Sequence, residues 1–341
     1  MDLSTELFRQ VASPVMESGA FSRLKQITFL GVLSPRYREL AGFPIKYKTP
    51  LNTSDQTRAH HSLSVAVLAG RICANLRLSE TSISYAVMWG LLHDIATWPL
   101  SHTGEAGFSR STETSARDLR AMMIRGSNRL SKAVSLYPHI KASALDHGTL
   151  IALYDRNETG FSQELTVIHK LIHSAVTPDT LDGIYRSGRV FNIKIPEPMD
   201  FVGAFERDLI SGVVIGRDFY RPFRDFWRGK SEIYSKYINA QRTMEFESIW
   251  SRTIQDEFAR IPLRETLELS EDDVVRRVVD SVPVKPRGIQ RYKEPLSYFI
   301  ADTYKGRREF KPRFPIDELS SVFIRKIASG HLSGEAIDGI Y

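Results

Sequence analysis

Apolar residues recur at helical spacing through most of the chain. In residues 20–31 the apolar positions are three apart, with basic residues between them: Phe21, Leu24, Ile27 and Leu30. Residues 61–78 and 81–92 are rich in Leu, Val, Ala and Ile at the same spacing. Because such a stripe buries one face of a helix, we predict a helix over 20–31 and an antiparallel pair of helices over 61–92.

The same pattern predicts further helices over residues 113–124, 149–154, 164–176, 231–261 and 270–279. Thr177 and Pro178 match an N-cap followed by proline at the first helical position, so another helix is predicted from there to about residue 186. Ser270 and Asp273 resemble a capping box with Asp in place of Glu.

Strand-like alternation is scarce, and residues 191–195 and 282–289 are its only candidates. Prolines and glycine interrupt residues 34–57, which we predict to form a loop or a short hairpin. The pattern therefore predicts a mainly α protein, a helical bundle with a helical C-terminal extension and at most a few short strands. We divide it into residues 1–215 and 216–341 and expect the two parts to pack as one compact unit.

Composition fits a globular protein: 42% of the 341 residues are hydrophobic and 25% are charged. The single cysteine, Cys73, excludes an internal disulfide and a zinc ribbon, and it fits a reducing compartment. The first residues lack a signal-peptide pattern, and no apolar run approaches the roughly 18 residues of a membrane span. We therefore expect a soluble, cytoplasmic protein without a membrane partner.

The formal net charge of +6 favours anionic partners without identifying one. Basic residues concentrate in residues 285–313, a segment with nine basic and three acidic residues. This basic segment could bind phosphate, either of nucleic acid or of an allosteric nucleotide. It could equally be an ordinary solvated surface.

His93 and Asp94 directly follow an apolar helical stripe. Adjacent side chains on a helix point about 100° apart, so both reach one metal ion only if the metal lies near the end of the helix or a distortion lets the two side chains converge. A His-Asp pair is also common by chance. The helical periodicity indicates His61 as a further candidate ligand. His61 lies on the same apolar helix face as Val65 and Leu68, whereas His60 does not.

A buried imidazole needs a polar partner, and a metal shared with His93 and Asp94 would provide one for His61. Asp179, in the first turn after Pro178, is the candidate for the remaining carboxylate ligand. Asp179 could instead only stabilise the N-terminus of its helix through the dipole. His169 and His173, four residues apart, lack the intervening glutamate of a metalloprotease motif, so a structural or phosphate-facing role is favoured for them.

Four ordered blocks resemble the HD-domain metal-dependent phosphohydrolases, in particular the deoxynucleotide triphosphohydrolase branch (dGTPase and SAM-and-HD-domain proteins). Residues 21–31 match F-x-R-L-x-x-I-x-x-L-G, residues 58–65 match R-x-x-H-S-L-x-V, and residues 93–102 match H-D-x-x-x-x-P-x-S-H. Asp179 completes the H…HD…D order. The resemblance implies an HD-domain helical bundle in residues 1–215.

The resemblance also implies roles for single residues. The ligands of one or two divalent metal ions (Mn, Fe, Co, Zn, Ni or Mg) would be His61, His93, Asp94 and Asp179. Arg58 and Arg186 would bind substrate. The proton-transfer candidates are His102, Glu105 and Glu113, each of which could also be an ordinary capped histidine or helix carboxylate.

Several residues depart from the branch pattern. Threonines replace its usual pocket histidines at Thr97 and Thr112, and the positions that recognise sugar or phosphate are changed at Phe29, Thr180, Gly183 and Ser187. We predict a nucleotide phosphohydrolase, most directly a dNTP triphosphohydrolase-like enzyme that assembles as a homo-oligomer. The alternatives are a phosphatase or phosphodiesterase on a different nucleotide, a di-iron oxygenase, and a catalytically weak HD scaffold that binds nucleotide or nucleic acid.

Overall fold

The computed structural model describes residues 4–37, 56–155, 160–174, 176–208, 212–238 and 241–281. The described part is mainly α-helical, as predicted. Its helices are α1 Thr5–Met16, α2 Gly19–Leu24, α3 Arg58–Asn75, α4 Glu80–Leu92, α5 Ser101–Ser111, α6 Ala116–Arg125, α7 Tyr137–Ala142, α8 His147–Leu153, α9 Gln163–His173, α10 Pro178–Phe191, α11 Tyr220–Ile233, α12 Gln241–Phe258, α13 Leu263–Thr266 and α14 Glu271–Val278.

The described residues contain one small sheet of two antiparallel strands, β1 Phe205–Asp208 and β2 Gly212–Ile215. Phe205 pairs with Ile215 in its register. The predicted strand at 191–195 is wrong, because α10 continues to Phe191 and ends at Asn192 in a left-handed conformation. The other candidate strand, 282–289, and most of the predicted loop over 34–57 lie outside the described residues.

Helices α3 and α4 form the predicted antiparallel pair. Each has a side-chain N-cap, Thr57 for α3 and Ser79 for α4. The helices cross closely at Gly90, where a Cβ atom would lie only 2.5 Å from the Cα atom of Ala66. Because the helices are antiparallel, the first turn of α3 lies beside the last turn of α4, which brings His61 next to His93.

A Gly90→Ala substitution tests this crossing. We expect the free energy of unfolding to fall by about 1–3 kcal/mol, because the added methyl group has to push two packed backbones apart. The intrinsic helix preference for alanine acts in the opposite direction by up to about 1 kcal/mol. Chemical denaturation measures the difference. Thr81→Ala, at an exposed position of α4, is the matched control, and equal stability of the two variants would contradict the close crossing.

The predicted helix over 20–31 is too long, since α2 ends at Leu24. The following backbone is used in contacts with the start of α3: the amide of Phe29 donates to the carbonyl of Gln56, and the amide of Arg58 donates to the carbonyl of Ile27. These bonds cannot form if residues 27–29 continue the helix. They fix residues 27–29 against the start of α3.

The predicted helix over 231–261 is interrupted. After α11 the chain forms a π-helical turn at Tyr234–Ile238, and α12 starts at Gln241. Helix α12 packs on α5, where the Ser251 hydroxyl donates to the carbonyl of Thr103 at 2.9 Å. The predicted capping box of Ser270 and Asp273 is present at the start of α14. The helices after residue 215 thus contact the first part directly, while the division into two domains stays a prediction.

Within the part of the chain that the structure describes, no helix combines the length and the apolar character that crossing a membrane requires.

Candidate metal centre

Two histidines and an aspartate bring their donor atoms together where α3 starts and α4 ends. The Nε2 atoms of His61 and His93 are 3.1 Å apart. The Oδ2 atom of Asp94 lies 3.5 Å from Nε2 of His93 and 3.8 Å from Nε2 of His61. The three donor atoms lie within 4.8 Å of one another. His93 and Asp94 converge because they follow the last helical turn of α4, the position at which the sequence analysis expects adjacent side chains to meet.

Asp179 approaches the same point from the first turn of α10. Its Oδ1 atom lies 3.1 Å from Nε2 of His61 and 3.7 Å from Nε2 of His93. Thr177 caps this turn, and Pro178 occupies its first position, as predicted. The Asp179 side chain is 46% exposed, whereas His61 is almost fully buried. Asp179 therefore lies on the open side of the cluster.

The donor set fits a divalent metal ion. Metal–nitrogen and metal–oxygen bonds of about 2.1 Å place neighbouring ligand atoms about 3.0–3.4 Å apart in octahedral or tetrahedral sites. The separations of 3.1 Å between the two imidazole nitrogens and 3.1 Å between His61 and Asp179 are of this size. Imidazole with carboxylate suits several first-row metals, so the metal's identity stays open.

A carboxylate orients His61 through Nδ1, the ring nitrogen that does not face the cluster. Its Nδ1 atom lies 2.6 Å from Oδ2 of Asp182, one helical turn after Asp179. Arg186 donates to the same oxygen at 2.5 Å, and it also donates to the carbonyl of His60 and the hydroxyl of Ser64. A hydrogen bond at Nδ1 leaves Nε2 free to face the metal position.

Asp94 is held by Arg58. The Nη1 atom of Arg58 donates to Oδ2 of Asp94 at 2.6 Å, and its Nε atom donates to the hydroxyl of Ser101 at 2.9 Å. The ring of Phe29 lies 4.8 Å from the guanidinium carbon. Arg58 is therefore a buried support of Asp94, a predicted ligand, in addition to its predicted role with substrate.

The charges of the cluster shift its pKa values. Burial alone acts to lower the pKa of His61, but hydrogen bonds to Asp179 and Asp182 outweigh it and raise the pKa to about 9. Burial lowers the pKa of His93. Burial acts to raise the pKa of both Asp94 and Asp179. The Arg58 guanidinium outweighs it at Asp94, and the hydrogen bond with His61 outweighs it at Asp179, so the pKa of each carboxyl is lowered. Both carboxylates are therefore ionised.

The three predicted proton-transfer residues lie on α5 or directly after it. His102 directly follows Ser101, its side chain is 51% exposed, and its Nδ1 atom is 3.3 Å from Glu105. Glu113 lies two residues beyond the opposite end of α5, which extends about 14 Å from His102 to Ser111 at 1.5 Å per helical residue. Its backbone is left-handed and its side chain exposed. The structure thus brings His102 and Glu105 together, but not Glu113.

An apolar wall closes one side of the cluster. The Phe29 ring is buried, and its centroid lies 4.7 Å from that of His61. A Cβ atom at Gly183 would lie 3.5 Å from this ring and 3.9 Å from Oδ1 of Asp179. The departures from the branch pattern at Phe29 and Gly183 therefore lie beside His61 and Asp179, two of the predicted ligands.

Sequence reasoning assigned no supporting role to three residues that contact the cluster or its neighbours. Asp182 carried a signal, since it shares a helical face with Asp179. Arg23 of α2 donates to the carbonyls of Ile95 and Thr97 and so holds the loop after Asp94. Ser101 has no sequence signal for its contact with Arg58. His169 and His173, in contrast, contact backbone carbonyls of Asp155 and Leu153, which fits the favoured structural role.

Residues 58–147 match the model of the HD domain family. The matched range contains three of the four predicted ligands, from His61 to Asp94, and ends before Asp179. The resemblance to HD-domain proteins predicted from the sequence is confirmed by this match.

Two individual proteins extend the comparison. The deoxyguanosinetriphosphate triphosphohydrolase-like protein of Desulfatibacillum aliphaticivorans is 27% identical over 216 residues, which cover 61% of this chain and 55% of the relative. The chain thus spans about half the length of this curated relative. The crystal structure of a hypothetical protein from Aquifex aeolicus superposes with a TM-score of 0.59 at 17% identity, covering 86% of this chain and 71% of that chain. This second match supports the fold alone.

Proposed function

Because the chain carries an HD domain, we propose that it is a metal-dependent phosphohydrolase that acts on a nucleotide. The observation that carries the proposal is the meeting of four donor atoms from the ends of three helices, α3, α4 and α10, beside the guanidinium group of Arg58. A relative named triphosphohydrolase-like favours a deoxynucleoside triphosphate as substrate. A bound divalent metal supplies a Lewis acid for a phosphoryl oxygen and lowers the pKa of water.

The residues of the chain divide the remaining work. His61, His93, Asp94 and Asp179 hold the metal, and the exposed side of Asp179 leaves the cluster open to substrate. Arg58 makes hydrogen bonds through Nε and Nη1, and among the described residues none is formed by its Nη2 atom. This nitrogen is available for a phosphate oxygen. Arg186 supports Asp182 and lies behind His61, so we assign it to positioning.

His102 is the proposed proton donor for the leaving group. It is the second residue of α5, directly after Ser101, and its side chain is exposed. Its Nδ1 atom lies 3.3 Å from Glu105. Glu105 beside the imidazole can orient its ring for proton transfer. Glu113 has no role in this mechanism.

The apolar wall favours a second candidate within the same chemistry. Phe29 and Gly183 offer no hydrogen bond to a sugar or a phosphate, although they lie directly beside the ligands. A pocket without those donors fits a smaller or differently held substrate. A phosphomonoester or phosphodiester of another nucleotide is therefore the alternative to a triphosphate.

The test is a substrate panel with metal-stripped and reloaded protein. Mn, Fe, Co, Zn, Ni and Mg are supplied separately, with dNTPs, NTPs, nucleoside monophosphates and cyclic nucleotides. Ion chromatography separates triphosphate, pyrophosphate and phosphate, which identifies the bond that is cleaved. We expect turnover only after reloading. Absence of turnover with every metal would overturn the enzyme proposal and favour a nucleotide-binding scaffold.

We further propose a homo-oligomer and a phosphate-binding role for the basic segment at 285–313, which lies outside the described residues. Its charge and the resemblance to oligomeric HD enzymes support these two proposals. Salt-dependent binding to single-stranded nucleic acid, compared with free nucleotide, distinguishes the two ligands.

A further inference from the structure

A buried carboxylate from the C-terminal helices reaches the segment next to the metal centre. Glu271, the first residue of α14, is 1% exposed. Its Oε2 atom accepts hydrogen bonds from the backbone amides of Leu100 at 2.8 Å and Thr28 at 3.1 Å, and its Oε1 atom accepts one from the Tyr37 hydroxyl at 2.8 Å. These partners are 171 to 243 residues away along the chain.

Burying a carboxylate is unfavourable unless hydrogen bonds replace its hydration. Glu271 has three such bonds, two of them to backbone amides that would otherwise be buried without an acceptor. Its neighbour Asp272 is exposed and pairs with Arg36 on the surface. Only Glu271 of this acidic helix start is directed into the protein between two segments of the first part.

The two segments that Glu271 joins lead to the metal ligands. Ser101, directly after Leu100, donates its hydroxyl to the carbonyl of Thr28. The same hydroxyl accepts the Nε hydrogen of Arg58, which in turn donates to Asp94. Glu271 thus fixes both ends of the Thr28–Ser101 bond, and that bond orients Arg58.

The backbone at this point needs to be held. Leu100 and Ser101 both have positive φ angles, 63° and 52°, in the region that side chains other than glycine rarely adopt. A Cβ atom at Gly31 would lie 2.1 Å from the carbonyl oxygen of Leu100, so the two segments also pack too closely for any side chain there. Such strained residues persist where the surrounding contacts determine their conformation.

We propose that Glu271 is a positioning residue of the metal centre, which holds Leu100 and Thr28 so that Ser101 and Arg58 orient the ligand Asp94. The inference rests on the proposed metal site. It gives the helices after residue 215 a part in the function of the first part of the chain.

The test compares three variants by titration with Mn²⁺, followed by electron paramagnetic resonance of the free ion. Glu271→Met fills the same volume without an acceptor. Glu271→Gln retains an oxygen for the two amides, and its NH₂ group can donate to the Tyr37 hydroxyl oxygen. Burial raises the pKa of Glu271, so replacing it with a neutral amide is tolerated electrostatically. Asp272→Asn is the matched surface control.

We expect the Kd for Mn²⁺ to rise about tenfold in Glu271→Met, in the range found for outer-shell residues, and to stay within about threefold in Glu271→Gln. Asp272→Asn should match the wild type. Equal Mn²⁺ affinity of Glu271→Met and wild type overturns the proposal, even if the variant is less stable, because the contact is then only structural. Equal losses in the Met and Gln variants also overturn it.

If Glu271→Met does not fold, the Ser101→Ala variant tests the proposal instead. This variant keeps Glu271 and removes the next link, and we expect a similar loss of Mn²⁺ affinity, whereas unchanged affinity overturns the relay. The readout does not depend on hydrolysis. A wild-type protein that binds Mn²⁺ without cleaving any nucleotide contradicts the proposed function alone, and one that binds no Mn²⁺ contradicts both.

Discussion

An Asp94→Ala variant is expected to lower the proposed phosphohydrolase activity by at least about a thousandfold, since the stabilisation that a catalytic metal supplies is several kcal/mol and each 1.4 kcal/mol is a factor of ten. Asp94 contacts both imidazoles of the cluster, so its removal takes away a ligand and most of the negative charge on that side. Initial rates at saturating metal measure the loss.

The same variant should also be less stable. The Arg58 side chain is only 4% exposed, and Asp94 is its carboxylate partner. Removing one member of a buried ion pair leaves an uncompensated charge, which costs about 3–5 kcal/mol. Denaturation in the absence of metal therefore separates this effect from the loss of metal binding.

Asp179→Ala supplies the comparison. Asp179 is a predicted ligand too, but its side chain is half exposed, so we expect a comparable loss of activity with a change in stability of less than about 1 kcal/mol. His60→Ala is the control, because His60 is adjacent to a ligand but exposed on the other helical face. Full activity in Asp94→Ala, or an equal loss in His60→Ala, would refute the assignment of the cluster.

The meeting of His61, His93, Asp94 and Asp179 could be predicted because each residue carried a local signal. Helical periodicity distinguished His61 from His60. The end of an apolar helix explained how His93 and Asp94 converge. Thr177 with Pro178 predicted the start of the helix that contains Asp179. These signals depend on residues a few positions apart. The same is true of the antiparallel pair α3 and α4, whose pattern and caps lie in one continuous segment.

The errors arose where distant residues decide the structure. The predicted helix over 20–31 stops at Leu24 because the following backbone pairs with Gln56 and Arg58, which lie about thirty residues later. The start of helix α5 could not be predicted from the sequence, since Leu100 precedes it in a left-handed conformation without a capping side chain. Its position is fixed partly by Glu271, which no local pattern connects with this segment.

A second large effect is expected from Asp182→Asn, which changes the support of His61 and keeps every ligand. Asp182 receives the Nδ1 hydrogen of His61 at 2.6 Å, and its negative charge contributes to the raised pKa of that histidine. Loss of the charge makes the imidazole a weaker base and a less firmly oriented ligand. We expect metal affinity to fall about 10–100-fold.

The measurement is a metal titration of the apo protein by calorimetry, followed by rates at increasing metal concentration. Because the four ligands remain, activity should recover as the metal concentration rises, which distinguishes Asp182→Asn from Asp94→Ala. Asp146→Asn is the matched control: Asp146 caps α8 through the Thr149 amide, and asparagine caps a helix equally well. Wild-type affinity in Asp182→Asn, or an activity loss that no metal concentration reverses, would show that Asp182 does not act through His61.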